Sequence, residues 1–183
     1  MKHLMLDLET LSTVPEAAIL SIGAVFFDPI NSLLGKEFYQ IVVRTNSTLD
    51  GTVSDDTVKW WNSQSPEANS IFTDPSAISL REALVSFDSF IKNNGSENIQ
   101  VWGNGSGFDN VILASAYKRN GLKVPWNFRN DRDVRTVVEL GRCLRKIDPK
   151  ESLTMSGLAH NALDDAKFQA QYVNSIFSAL KNS

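Results

Sequence analysis

Asp7 and Glu9 stand two residues apart inside the apolar run His3-Leu4-Met5-Leu6-Asp7-Leu8-Glu9. A short apolar run bounded by Thr10 and Ser12 reads as a buried strand, and side chains two apart on a strand leave the same face. The two carboxylates therefore converge. Burying them unpaired is costly, and a hard divalent cation with oxygen ligands is one way to offset that cost. A strand end whose acids meet solvent or a lysine is the other. Further on, Asp109 follows Gly103-Asn104-Gly105-Ser106-Gly107, a loop whose glycines let backbone approach whatever occupies a site. Ser106-Gly107-Phe108-Asp109 also fits the Ser-x-x-acid cap of a helix start. A helix start suits a polyanion or metal cluster, so both roles are open to Asp109.

His160 and Asp165 lie five positions apart. On one helix that spacing separates them by roughly 140°, so they converge only if His160 precedes the helix or sits in a bent first turn. Gly157 makes such a loop reasonable. Leu163, Ala166, Ala170, Val173, Phe177 and Leu180 form an apolar stripe over residues 161–181. At about 100° per residue, Asp164 falls opposite the stripe, toward water. Asp165 falls on its flank beside Gln169 and Tyr172, which makes it the better candidate ligand. An imidazole takes up a proton near neutral pH, so His160 is a candidate general base, with a capping or surface histidine as the plainer alternative. His3 reads as structural.

The elements that must position these groups form a mixed α/β pattern. Residues 3–9, 19–27 and 38–43 read as a three-stranded meander, with Asp28-Pro29-Ile30-Asn31-Ser32 as a turn. A helix is expected from Ser54 through Trp60 and Trp61, and another under the stripe Leu80, Leu84, Phe87 and Ile91, ended by Asn93-Asn94-Gly95. Ile99-Gln100-Val101-Trp102 is a short strand, 109–118 a helix, 133–135 a further strand, and a helix follows to about Lys146. Asp148-Pro149-Lys150-Glu151-Ser152 reads as a loop and 161–181 as the closing helix. With no repeat or linker, residues 1–183 are expected to make one domain, and 42% hydrophobic content suffices for its core.

Charge is uneven. Residues 118–150 carry ten Lys or Arg against four acids, a net of +6, while the remainder nets −9. A basic segment can meet phosphates while carboxylates elsewhere await cations, although such a run also serves as a plain solvated face. The lone Cys143 forms no internal disulfide and suits the reducing cytoplasm. Asp7 and Glu9 interrupt the start before a signal-peptide core develops, and no run approaches membrane-spanning length.

Asp-x-Glu on the first strand, Phe108-Asp109 after a glycine-rich loop, and His160 five before Asp165 together resemble the ordered signature of the DEDDh exonucleases. More narrowly, Trp60-Trp61-Asn62-Ser63-Gln64-Ser65-Pro66-Glu67-Ala68 with Arg132-Asp133-Val134-Arg135-Thr136 resembles the phage exodeoxyribonuclease A-like branch, which has exoribonuclease relatives. The resemblance spans nearly the whole chain. It implies a ribonuclease-H-like fold: a mixed five-stranded sheet, with an antiparallel three-stranded meander followed by βα units, flanked by helices. It implies a phage or prophage enzyme that removes nucleotides from the free 3′ end of single-stranded nucleic acid, DNA ahead of RNA. A 3′-5′ exoribonuclease is the alternative, and related enzymes often form homodimers. Asp7, Glu9, Asp109 and Asp165 would hold two divalent ions, Mg²⁺ with Mn²⁺ as substitute, which activate water and stabilise the leaving oxygen. His160 would take the proton. Thr10 and Leu11 would touch the terminal nucleotide.

Phe108 and Trp61 would stack on bases, a contact of about 1–3 kcal/mol each, with core packing as the alternative. Arg132 and Arg135 would meet phosphate, with salt bridges to Asp131 or Asp133 as the alternative. Two rival classes are a silent nucleic-acid-binding module and a phosphohydrolase of single nucleotides. The complete five-residue set speaks against the first, and the basic segment favours a polymer over the second.

Overall fold

The computed structural model describes residues 1–45, 47 and 49–181; the final two positions of the expected 1–183 domain lie outside them. Five strands, β1 (His3–Thr10), β2 (Ile19–Asp28), β3 (Leu33–Ile41), β4 (Gln100–Gly103) and β5 (Asp131–Asp133), make one sheet in the order β3-β2-β1-β4-β5. Seven α-helices accompany them among the described residues: α1 (Asp55–Asn62), α2 (Pro66–Asn69), α3 (Leu80–Asn94), α4 (Asp109–Arg119), α5 (Val134–Arg145), α6 (Pro149–Ser152) and α7 (Ala162–Lys181). The first three strands pair antiparallel and β4 and β5 run parallel to β1. This is the mixed sheet expected from a meander followed by βα units.

Alternation along β1 sorts the two sides of the sheet. Leu4, Leu6 and Leu8 join Ile22, Ala24 and Phe26 in a core closed by Leu80, Leu84 and Phe87 of α3 and by Ile112, Leu113 and Tyr117 of α4. On the other side Met5, Val25, Phe27 and Trp102 pack against Val134 and Val138 of α5 and Ala166, Ala170 and Val173 of α7. Asp7 and Glu9 continue the Met5 side, so they point toward the layer that holds α7. His3 sits at the far end of that row, half-buried, where its Nδ1 accepts a hydrogen bond from Trp102 Nε1 at 3.1 Å, the structural role expected of it.

Three departures from the sequence reading have a local physical cause. β3 begins at Leu33, five residues early, because it is an edge strand whose exposed first half lacks an apolar alternation. β5 ends at Asp133, where that residue turns to cap α5 by accepting from the Thr136 N–H at 2.8 Å. The expected loop at 148–152 contains the single turn α6, started by Pro149 at its first position and capped by Asp148. No helix among the described residues is long and apolar enough to cross a membrane.

Candidate active site

The strand β1 outruns its neighbour. Its last pairing with β4 is Met5 to Trp102, so the stretch that bears Asp7 and Glu9 projects past the carboxyl end of β4, where open α/β sheets form crevices. The Leu8 N–H, left without a β4 partner, donates instead to Asp109 Oδ1 at 3.2 Å. Gly103 at the end of β4 permits this approach, since a Cβ there would lie 2.6 Å from Asn110 Oδ1 and 3.2 Å from Asp109 Oδ2. Asp109 is the first residue of α4, preceded by Phe108 with no side-chain cap. Ser106 therefore does not cap this helix, contrary to the sequence reading. The glycine-rich loop makes its own turn, and the Ser106 N–H donates to Asp133 Oδ2 at 2.7 Å.

The third contribution comes from α7. Asn161 caps it, its Oδ1 accepting from the backbone N–H groups of Leu163 and Asp164. His160 lies just before the cap with φ +64°, outside the helix as the spacing required. Asp165 turns back to accept the His160 backbone N–H at 3.0 Å. Ligand atoms of Glu9, His160 and Asp165 lie within 4.8 Å of one another, a candidate metal centre. Asp164 departs from the sequence reading: it is half-buried rather than turned to water, and its Oδ2 accepts the Leu158 N–H at 3.0 Å, tying down the loop that carries His160. A rotation angle gives a direction from the helix axis and cannot show that a preceding loop folds over it.

Electrostatics mark the group as strained by its own charge. Glu9 is 8% exposed and Asp109 3%. Burial, with Asp165 and Asp109 close by, pushes the Glu9 carboxyl up to about 8. Burial likewise lifts Asp109 to about 7, against the opposing pull of backbone N–H groups and Arg135. Asp7 is raised well above the carboxylate range by burial and by the charges of Asp109 and Glu9, and Asp165 is raised by burial. None of the ion pairs among the described residues involves these four acids. Such a set of hard oxygen donors, in salt-bridge contact with no lysine or arginine among the described residues, fits a divalent cation. Gln169 on α7 lay beyond the sequence reading as a site residue. It is buried and donates from Nε2 to Asp7 Oδ1 at 2.7 Å. The signal was its position one turn after Asp165 on the same flank.

The expected substrate contacts divide. Thr10 and Phe108 line a cleft of about 530 Å³ together with Glu9, Thr57 and Trp60. Arg135 is exposed and its guanidinium lies beside the glycine-rich loop, 3.3 Å from where a Cβ of residue 105 would stand. Arg132 makes no salt bridge to its acidic neighbours and donates to the carbonyls of Arg129 and Asp131. Trp61 and Leu11 are corrections. Trp61 is 1% exposed and donates from Nε1 to the Thr10 carbonyl at 2.9 Å, so no ring face is free for a base. Leu11 is buried in the same apolar cluster. The exposed partner of the pair is Trp60, 42% exposed.

A family model described as the 3′-5′ exoribonuclease Rv2179c-like domain matches residues 2–177. The exodeoxyribonuclease of Enterobacteria phage T4 is 26% identical over 188 residues, covering 88% of this chain and 82% of the phage protein. Among solved structures, the nuclease domain of 3′hExo, a DEDDh family member bound to rAMP, covers 99% of this chain and 92% of its own at 14% identity and a TM-score of 0.68. Cell-death related nuclease 4 gives 0.71 at 19% identity over 96% of this chain, which spans 63% of that nuclease. E. coli exonuclease I in complex with a dT13 oligonucleotide gives 0.73 at 14% identity over 98% of this chain and 42% of its own. The chain belongs to the 3′-5′ exoribonuclease Rv2179c-like domain family, and its enzymatic class is that of a 3′-5′ exonuclease.

Proposed function

We propose that this chain, acting as one domain, is a metal-dependent exonuclease that removes nucleotides from the 3′ end of single-stranded nucleic acid. The observation that carries the proposal is the convergence of Glu9, His160 and Asp165, from opposite ends of the sequence, within 4.8 Å beside the half-buried Asp7 and the buried Asp109. Asp7, Glu9, Asp109 and Asp165 would hold two divalent ions, Mg²⁺ or in its place Mn²⁺. Bound there, the ions would supply Lewis-acid chemistry that polarises the phosphate and stabilises the leaving oxygen. His160, at the mouth of the group, takes the proton from the attacking water. Phe108 and Thr10 line the cleft that receives the terminal nucleotide, and Arg135 meets a phosphate one step along the strand.

DNA is the first substrate we propose, on the strength of the phage exodeoxyribonuclease, whose match covers most of both chains. RNA is the second reading, favoured by the family's description as exoribonuclease. The phage relative also supports a phage or prophage source, and the single exposed Cys143 supports a reducing cytoplasm. A homodimer is consistent with the enzymes this chain resembles.

The test uses 5′-labelled single-stranded DNA and RNA oligonucleotides in Mg²⁺ or Mn²⁺, with chelator and Asp109→Ala controls. A metal-dependent ladder shortening from the 3′ end, absent in the variant, supports the reading and ranks the two polymers. Binding without cleavage of either polymer would overturn it in favour of a silent binding module.

A further inference from the structure

The rings of Trp60 and His160 meet in a T-shaped contact, with centroids 4.9 Å apart and planes at 83°. Core packing does not require this tryptophan, because its neighbour Trp61 fills the core while Trp60 stays 42% exposed. The pair gives α1 two attachments. Trp61 fixes the helix to the Thr10 carbonyl, one residue past Glu9, and Trp60 extends from the same turn to the loop that bears His160. That loop needs a second hold on its side chain. The His160 backbone N–H is committed to Asp165, yet among the described residues no hydrogen bond fixes the imidazole itself. Its ring contacts are Trp60 and, at 6.4 Å, Trp61. Trp60 also lines the cleft that holds Glu9 and Phe108, so one ring touches both that cleft and the imidazole.

We propose that Trp60 is a positioning residue that orients the His160 imidazole toward Glu9 and Asp165. This rests on the proposed role of His160 as base. A tryptophan ring packed perpendicular to the imidazole restricts its rotation about the Cβ–Cγ bond, and a base must be held in line with the proton it removes. The rival role for an exposed aromatic in a nuclease cleft is stacking on the terminal base, which acts on binding rather than on turnover.

The experiment compares the full chain with Trp60→Ala, Trp60→Leu and Trp60→Phe in steady-state digestion of an oligonucleotide with a normal 3′ nucleotide and of one with an abasic 3′ residue. Positioning lowers kcat of Trp60→Ala and Trp60→Leu by about 10- to 100-fold. KM stays within about twofold of the wild type on the same reasoning, the loss is equal on both oligonucleotides, and Trp60→Phe recovers most of the rate. With two histidines in the chain, carbon-13 correlation spectra resolve His160 from His3, and Trp60→Ala moves the His160 ring signals alone. An unchanged kcat, a raised KM confined to the normal 3′ nucleotide, or an unmoved His160 signal overturns the positioning role. An inactive wild type removes the exonuclease reading itself, and positioning falls with it; an active wild type with an unaffected Trp60→Ala removes positioning alone.

Discussion

Gly23 of β2 and Ala162 at the start of α7 are in such close contact that a Cβ on residue 23 would lie 2.1 Å from the Ala162 carbonyl carbon. Gly23 is also the partner of Asp7 across the β1–β2 ladder. The absence of a side chain there lets the first turn of α7 rest directly on the sheet, and that turn delivers Asp165 and His160 to the acids of β1. Gly23→Ala pits a methyl group against backbone, which cannot rotate away. The expected cost is about 1–3 kcal/mol of stability from overpacking, with activity falling about 100-fold because a shift near 1 Å misplaces the groups. Urea denaturation and oligonucleotide digestion of the same preparation read both, and a variant with wild-type values in both assays would refute this account.

The crowded acids make metal-free stability depend on pH. Glu9 titrates at about 8 in the folded chain against 4.5 when unperturbed, and Asp109 at about 7 against 3.8. A carboxyl raised in the folded state favours folding while it is protonated in the native chain, and that contribution fades as pH climbs through the native value. In chelator, the melting temperature should therefore decline between about pH 4 and 8. A divalent cation should reverse the decline at the upper end, by about 2.7 kcal/mol at a hundredfold excess over its Kd. Scanning calorimetry over pH with EDTA or with Mn²⁺ checks it; a flat metal-free profile would count against the buried cluster.

Gln169→Leu removes the amide that holds Asp7 Oδ1 and keeps a side chain of similar size in the core. Loss of an outer partner of a metal-ligating group typically weakens the metal by about 10- to 100-fold. The Mn²⁺ concentration for half-maximal activity should rise by that factor, with the rate at saturating metal largely preserved. An unchanged metal requirement would show that Asp7 is held without the glutamine.

Much of the arrangement could be read from residue spacing because it rests on two short periods. The two-residue repeat of β1 sets Asp7 and Glu9 on the side of Met5, and the apolar stripe of α7 fixes the phase that carries Asp165 toward the sheet. What escaped the reading depends on contacts between distant segments. Ser106 looked like a cap because a four-residue pattern ignores the additional turn a glycine-rich loop makes before α4. Spacing alone leaves Trp61 open to stacking or to core packing, and Val58 three residues earlier on the same packed side of α1 marks the face that is buried. Gln169 gave no motif at all, since an amide gains its role only when α7 crosses β1.

Asp164→Ala tests the loop that folds over α7. The variant leaves the Leu158 N–H without its acceptor, a loss of about 0.5–1.5 kcal/mol confined to that segment. Limited proteolysis within residues 154–160 should accelerate and the digestion rate should fall, while the melting temperature barely moves. Equal proteolysis of variant and wild type would mean that Asp165 alone secures the loop.

The hydrogen bond between Gln169 and Asp7 joins residues 162 positions apart, and Glu9, His160 and Asp165 span almost as much of the chain. Contacts of such long range form late in folding, and synthesis proceeds from the N-terminus. A nascent chain therefore carries its β1 acids without their α7 partners until α7 has been made and folds back. The order of the segments leaves the carboxylate cluster incomplete until α7 folds onto β1.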